Sequence, residues 1–285
     1  MKEGSDSFRK IKFLYSLQSN KGMNLGLSQL NTDDDILYLN YFKDVSDRLK
    51  KDSQLWKQSY LAAKPYPHLV IDDLFAPELL DRLVEEFPKP KNRDWIVWDT
   101  EHELKTTSRG IDDLSMFTQI FCLWLNSRAV ISTIESIVGI NNLVGDPLFH
   151  GAGLHEMYSG GWLEMHADYT KHFTLPLMRR INILIYLNRD WDASWGGELA
   201  LQEPKNPQTQ VSYPPYFNRT IIFPTTAKTF HGVPTPLSCP LNCSRKLLSI
   251  YYWNPIPMPL WSKVGTPLLW ASEQKQNFKK AIAKM

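Results

Sequence analysis

The residue types in this chain best suited to metal chemistry are two histidines and an aspartate: His166, Asp168 and His231. Side chains two residues apart point to the same face of a β-strand, so His166 and Asp168 are expected to enter one cavity. His231 comes from a distant segment and closes the set. Two imidazoles and one carboxylate occupy three adjacent corners of an iron octahedron, which leaves three corners open for a co-substrate and O2. His-x-Asp alone is a weak signal that occurs by chance in many chains, and the segments around each half are what favour a metal site.

Short apolar runs surround these residues, and Gly, Pro and Asn separate the runs from one another. Such a pattern is typical of antiparallel β-structure of the jelly-roll type. The strands predicted on this basis are 162–168, 180–188, 195–201, 219–224 and 245–253.

Helices are predicted on both sides of this β-region. Apolar positions recur at helical spacing from residue 33 to 63, a strand is expected at 68–75 and a helix from Ala76 to Pro88. Residues 116–138 predict two helices broken near Asn126, and 267–283 predict a C-terminal helix. The predicted fold is mainly β with α additions, a double-stranded β-helix (jelly roll) core flanked by N-terminal and C-terminal helices.

The predicted domain organisation follows from this order of elements. Residues 1–64 form an N-terminal helical extension and 256–285 a C-terminal helical tail. Between them, 65–255 form the catalytic domain, with a jelly-roll core that begins at about 145.

Four of these segments resemble the iron(II)/2-oxoglutarate-dependent dioxygenases, specifically the prolyl-4-hydroxylase-like branch. They cover roughly residues 145–255 in the order that the family requires, and they read YSGGWLEMHAD, INILIYLNRDWDASWGGELAL, NRTIIFP with FHGV, and RKLLSIYYW. The upstream segment PYPHLVIDDLFAPELLDRLVEEFP is similar to the strand and helix that open this branch. One departure is the loop PTPLSCPLNCS before Arg245, where many relatives have a tighter turn.

The resemblance implies Fe(II), with 2-oxoglutarate and O2 as co-substrates. 2-Oxoglutarate chelates iron through its 2-oxo and C1-carboxylate oxygens, and its buried C5-carboxylate then needs a charged partner. Arg245 is the expected partner because a guanidinium pairs a carboxylate bidentately. Ser249 shares the strand face of Arg245, and Tyr186 lies where relatives have a phenol that donates to the same carboxylate. Two further cofactor-binding candidates are Asn182, which shares a face with Tyr186, and Tyr158.

Several of these assignments have alternatives. Lys246 is the alternative to Arg245 as the partner of the C5-carboxylate. The alternative role for Tyr186 is core packing, and the alternative for Tyr158 is a position at the rim of the site. Arg179 and Arg180 are expected at a solvated strand end, with contact to an acidic substrate as the alternative. Three histidines compete with His231 for the third ligand position: His150, His155, which has the opposite strand parity from His166 unless a bulge intervenes, and His172, which is expected in an exposed loop.

The expected activity is hydroxylation of an unactivated C–H bond in a peptide, an amino acid or a small natural product, coupled to conversion of 2-oxoglutarate to succinate and CO2. Halogenating relatives carry Gly or Ala in place of the carboxylate ligand, so Asp168 favours hydroxylation. The alternatives are a non-catalytic jelly-roll metal-binding or sensor protein and a zinc-dependent cupin-like enzyme.

Composition limits the partners. The net charge of +2 over 285 residues gives no electrostatic argument for nucleic acid. No apolar run is long enough to span a membrane, and residues 1–19 lack the apolar core of a secretory signal. Three cysteines are too few for a disulfide framework. We therefore expect a cytoplasmic protein whose partner is a small-molecule or peptide substrate; the oligomeric state is left open.

Overall fold

The computed structural model describes residues 32–90, 93–146, 148–204 and 206–256. The chain divides into two units, Met1–Lys43 and Asp44–Met285, and the second contains the sheet and the site. The α-helices within the described ranges are α1 (Thr32–Ala62), α2 (Pro77–Glu85), α3 (Met116–Leu125) and α4 (Arg128–Val138). None of these helices is long and apolar enough to cross a membrane. The predicted C-terminal helix at 267–283 lies outside the described residues.

The strands are β1 (Leu69–Asp72), β2 (Ile96–Asp99), β3 (Glu103–Thr107), β4 (Val144–Gly145), β5 (Gly153–Met157), β6 (Trp162–His166), β7 (Leu177–Tyr186), β8 (Leu199–Glu203), β9 (Asn206–Tyr213), β10 (Arg219–Pro224), β11 (Phe230–Val233) and β12 (Arg245–Pro255). Short 3-10 turns lie at Ile111–Asp113 and Ala193–Trp195.

The helix boundaries have local causes. Pro77 opens α2, where its missing N–H costs nothing because the first turn has no acceptor for it. The Ser115 side chain accepts a hydrogen bond from the Thr118 N–H and caps α3. Gly139, at φ 71°, ends α4 in the left-handed conformation that glycine adopts without a steric penalty. The helices predicted in the 33–63, 76–88 and 116–138 segments are confirmed.

The strands form one sheet in the order β1-β10-β7-β12-β5-β3-β6-β11-β8-β9, with β2 beside β3 and β4 beside β12. All of these neighbours pair antiparallel. The sheet curls so that β5, β7 and β12 face β6, β8 and β11 across a cavity that both halves line. This is the double-stranded β-helix predicted from the sequence.

Six strands were not among the predicted ones: β2, β3, β4, β5, β9 and β11. The β3 sequence, ELKTT, is mostly polar, so it carries no apolar alternation from which a strand is inferred. It nevertheless pairs with both β5 and β6 and thereby joins the two halves of the sheet. The β-structure around the cavity therefore begins well before residue 145.

Apolar packing stiffens the wall of the cavity. One buried cluster combines residues of β7, β8, β10 and β12 with Tyr66: Leu184, Tyr186, Leu199, Leu201, Ile221, Phe223 and Leu247. The Tyr66 hydroxyl donates to the Phe230 carbonyl at 2.9 Å, next to His231. This hydrogen bond fixes the strand that carries His231 to the apolar cluster.

Candidate metal and co-substrate site

The register of two strands brings His166 and His231 together. They are direct partners across β6 and β11, and their ring centroids lie 4.5 Å apart. One donor atom from each, together with one from Asp168, fits within a mutual distance of 4.8 Å. No other group of three or more metal-ligating side chains this close occurs in the part of the chain that the structure describes.

Asp168 is positioned differently from the expectation. β6 ends at His166, so the carboxylate lies in the following loop and is not held by strand alternation. Instead, Asp168 Oδ2 forms an ion pair with Arg179 at 3.0 Å and accepts a hydrogen bond from Asn182 Nδ2 at 2.7 Å. Asp168 Oδ1 lies 3.6 Å from His166 Nε2, and Oδ2 lies 3.5 Å from His231 Nε2. Burial alone would raise the pKa of Asp168, but the charges of Arg179 and His231 hold it well below its usual value.

Both imidazoles direct Nε2 toward Asp168, at 3.6 Å from His166 and 3.5 Å from His231. His166 Nδ1 lies 2.8 Å from the Glu164 carbonyl, which accepts its hydrogen. This hydrogen bond leaves the lone pair of Nε2 available to a metal ion. His231 is 7% exposed, and burial lowers its pKa to about 4. A neutral imidazole is the form that binds a metal, so burial favours the binding form of His231 at neutral pH.

Sequence reasoning underestimated Arg179. It was expected at a solvated strand end, but its side chain is only 2% exposed. Its guanidinium lies 3.3 Å from the centroid of the Tyr251 ring, and its Nε donates to Asn182 Oδ1 at 2.8 Å. Nothing in the sequence distinguishes Arg179 from Arg180, because the difference arises only when β7 passes the loop after β6. Asn182, a cofactor-binding candidate, contacts Asp168 in this arrangement.

A second arginine, Arg245, lines the same cavity. Its Nε donates to the Gly197 carbonyl at 2.7 Å and its terminal nitrogen to the Tyr186 hydroxyl at 3.1 Å. Gly197 must be glycine here: φ is +81°, and a Cβ would lie 3.2 Å from Arg245 Cδ. Among the described residues, no carboxylate forms an ion pair with this guanidinium.

Ser249 lies beside Arg245 on β12 and also lines the cavity. Its side chain is fully buried, and within the described ranges its hydroxyl has no hydrogen-bond partner. Lys246, the alternative cation, points to the other face, where it contacts Ser244 and lies 3.5 Å from Glu156. A buried guanidinium without a carboxylate and an unpaired hydroxyl fit one end of a dicarboxylate such as 2-oxoglutarate. The His–Asp–His group in the same cavity fits the chelating end and the metal.

The remaining candidates divide between the cavity and other places. Tyr158 is not brought to the cavity: its hydroxyl donates to Glu156 Oε2 at 2.7 Å and lies 3.1 Å from Arg93. His155 does line the cavity, since β5 faces β6 from the other half of the sheet and the parity comparison with His166 does not apply. The expectation that His172 is exposed was wrong. His172 is 6% exposed, and its ring centroid lies 4.9 Å from that of Trp253.

The cavity has a volume of about 70 Å³ and combines charged and apolar walls. Besides the residues above, it is lined by Lys105, Met157, Leu163, Leu184, Leu199, Val233, Leu247 and Tyr251. Lys105 belongs to β3 and was missed by sequence reasoning together with its strand.

Residues 152–253 match the model of the 2OG-Fe(II) oxygenase superfamily. No curated protein sequence matches the chain. Among solved structures, the chain is similar to a prolyl hydroxylase from Trichoplax adhaerens in complex with a hypoxia-inducible-factor peptide fragment, with 16% identity and a TM-score of 0.52 over 73% of this chain and 92% of that one. It is also similar to a prolyl-4-hydroxylase from Pseudomonas putida, with 11% identity and a TM-score of 0.51 over 70% of this chain and 98% of that one. At these identities the two structures show the fold alone.

Proposed function

Residues 152–253 are a domain of the 2OG-Fe(II) oxygenase superfamily, and from this premise we propose that the protein hydroxylates an unactivated C–H bond with Fe(II) held by His166, Asp168 and His231. The enzyme class and its use of Fe(II), 2-oxoglutarate and O2 follow from the family. The roles of individual residues, hydroxylation as the outcome and the substrate belong to the proposal. A domain of residues 65–255 with helical additions at both ends remains a prediction.

The proposal rests on one observation: the cavity that contains His166, Asp168 and His231 also contains the buried Arg245, which forms no ion pair with a carboxylate of the described residues. Leaving a guanidinium buried and unpaired is costly, so such a site is built to take up an anion. Arg245 and Ser249 are the proposed partners of the C5-carboxylate of 2-oxoglutarate. Tyr186, whose hydroxyl accepts from Arg245 at 3.1 Å, keeps the guanidinium in place.

The bound cofactors supply the chemistry: Fe(II), 2-oxoglutarate and O2 together provide the oxidising power for C–H hydroxylation and yield succinate and CO2. The chain supplies positioning. Arg179 and Asn182 hold Asp168 Oδ2, which lies 3.5 Å from His231 Nε2, while Oδ1 lies 3.6 Å from His166 Nε2. Arg245 orients the co-substrate, and the apolar walls from Leu163, Leu199 and Val233 exclude water from the reacting atoms.

Asp168 also determines the expected outcome. A carboxylate in the third ligand position leaves no vacant corner for a halide ion. Product formed in the presence of chloride is therefore expected to gain one oxygen atom, derived from O2, and no chlorine. The proposed substrates are a peptide, an amino acid or a small natural product; the Trichoplax adhaerens relative was solved with a peptide.

The test does not require the prime substrate. Purified protein supplied with Fe(II), 2-oxoglutarate and ¹⁸O2 is expected to form succinate slowly, with one labelled oxygen in each molecule. Succinate formation is expected to disappear in His231→Ala and to persist in His102→Ala, a histidine that is 65% exposed. Zinc in place of iron is expected to give no succinate. Equal succinate formation with zinc, or unlabelled succinate that solvent exchange does not explain, contradicts the proposal; a metal-binding protein without turnover gives none under any condition.

A further inference from the structure

The strand β3 brings a lysine to the cavity. Thr107 of β3 is the direct partner of His155 on β5, and Glu103 is the partner of Leu163 on β6. Since alternate residues of a strand share a face, Lys105 lies on the same face as Glu103 and Thr107. His155, Leu163 and Lys105 all line the cavity.

The other positive groups of the cavity already have a task. Arg179 pairs with the Asp168 carboxylate at 3.0 Å, and Arg245 is the proposed partner of the co-substrate. His155 carries no charge at neutral pH, because burial and the nearby charge of Lys105 lower its pKa to about 3. Among the cavity residues that the structure describes, Lys105 is therefore the cation that neither the metal ligands nor the proposed co-substrate site uses.

Lys105 is held by one ion pair, which leaves hydrogen-bond donors of its ammonium group available. Its ammonium group lies 2.7 Å from Glu103 Oε2, and the two side chains are 16% and 20% exposed. An ammonium group has three N–H donors, so one bond to Glu103 leaves two for a ligand. Glu103 is two residues away on the same strand, which directs the lysine along the cavity face. This arrangement gives a fixed cation beside the His–Asp–His group.

We propose that Lys105 binds a carboxylate of the prime substrate, and that the enzyme acts on a small carboxylate-bearing molecule. This inference rests on the proposed function. A compact ammonium recognises an anion as a point charge and does not require the planar fit that arginine imposes. Lys105 is mostly buried, so the carboxylate of the substrate must enter the cavity to reach it. This favours a small molecule over the surface of a folded protein as the substrate.

The test compares matched probes that differ by one charge: the L-amino acids and their carboxamides. Each is added to the Fe(II)-loaded protein with 2-oxoglutarate, and its stimulation of succinate formation is measured. The acids are expected to stimulate at least about tenfold more than the amides in the wild type. Lys105→Met is expected to remove this preference, and Lys105→Arg to retain part of it. Lys228→Met, an exposed lysine outside the cavity lining, is the control and is expected to retain all of it.

A second measurement separates substrate binding from co-substrate binding. The dissociation constant of 2-oxoglutarate from the Mn(II)-loaded protein is expected to change less than about threefold in Lys105→Met. A loss of tenfold or more assigns the lysine to the co-substrate and overturns the inference. Equal stimulation by acids and amides, including none by either, also overturns it. Failure of the proposed function looks different: the wild type then forms no succinate and does not bind 2-oxoglutarate.

Discussion

The two arginines of the cavity, Arg179 and Arg245, differ in what the chain provides for them. Both guanidiniums are almost completely buried, with exposed fractions of 2% and 3%. Arg179 has the Asp168 carboxylate at 3.0 Å, whereas the acceptors of Arg245 among the described residues are a carbonyl and a phenol oxygen. The contrast also appears in their pKa values. Burial acts to lower both, but the Asp168 charge raises the pKa of Arg179, while that of Arg245 stays lowered.

The difference indicates how the site is divided. At the Arg179 end the chain supplies both members of an ion pair, and the carboxylate of this pair belongs to the proposed metal ligands. At the Arg245 end no described residue supplies a carboxylate as counter-ion. We infer that the first end is built for stability and metal geometry, and the second for an anionic ligand that comes from outside.

The largest expected effect comes from removing the carboxylate at the Arg179 end. Asp168→Ala takes away a ligand and leaves Arg179 unpaired as well. We expect the affinity for Mn(II) or Fe(II) to fall by more than about 100-fold. Mutation of residues that only hydrogen-bond to a metal ligand already lowers metal affinity by about 10- to 100-fold. Calorimetric titration of the metal-free protein measures this. Unchanged metal affinity in this variant places the metal elsewhere.

The next effect compares the two arginines directly through stability. Arg179→Met leaves the buried Asp168 carboxylate without its cation and is expected to cost about 3–5 kcal/mol of unfolding free energy. Arg245→Met removes a buried charge that has no carboxylate, so its cost is expected to be within about 1 kcal/mol, or the variant gains stability. Urea unfolding without metal and 2-oxoglutarate measures both. Similar losses in the two variants remove the distinction between the two ends.

A smaller effect concerns the hydroxyl beside Arg245. Ser249→Ala removes one hydrogen bond to the proposed C5-carboxylate, at a cost of about 1 kcal/mol, which corresponds to roughly fivefold weaker 2-oxoglutarate binding. Lys246→Met is the matched control, because this side chain faces Ser244 and Glu156. Titration of 2-oxoglutarate into the Mn(II)-loaded variants measures both. A larger loss in Lys246→Met than in Ser249→Ala points to the other face of β12.

The sequence predicted the parts of the molecule that depend on local pattern. The apolar runs of β7, β10 and β12 alternate with turns, which is enough to predict a jelly roll. Strand parity also places Arg245 and Ser249 on one face, as the structure has them.

The parts that depended on long-range contact could not be predicted. Arg179 meets Asp168 only because β7 passes the loop after β6, and no local pattern encodes that approach. Lys105 belongs to a polar strand whose pairing with β5 and β6 creates its position. Tyr158 does not line the cavity, and its hydroxyl contacts Arg93, which is distant from it in sequence, and Glu156 on the preceding strand.

The central proposal is that Arg245 binds the C5-carboxylate of 2-oxoglutarate while the other end of this co-substrate chelates the metal. Titration of 2-oxoglutarate into three samples tests it: the Mn(II)-loaded wild type, the metal-free wild type and Mn(II)-loaded Arg245→Met. We predict tight binding only in the first, with a loss of about 2–5 kcal/mol in the arginine variant. Binding by Arg245→Met or by the metal-free wild type that is as tight as binding by the Mn(II)-loaded wild type contradicts this proposal.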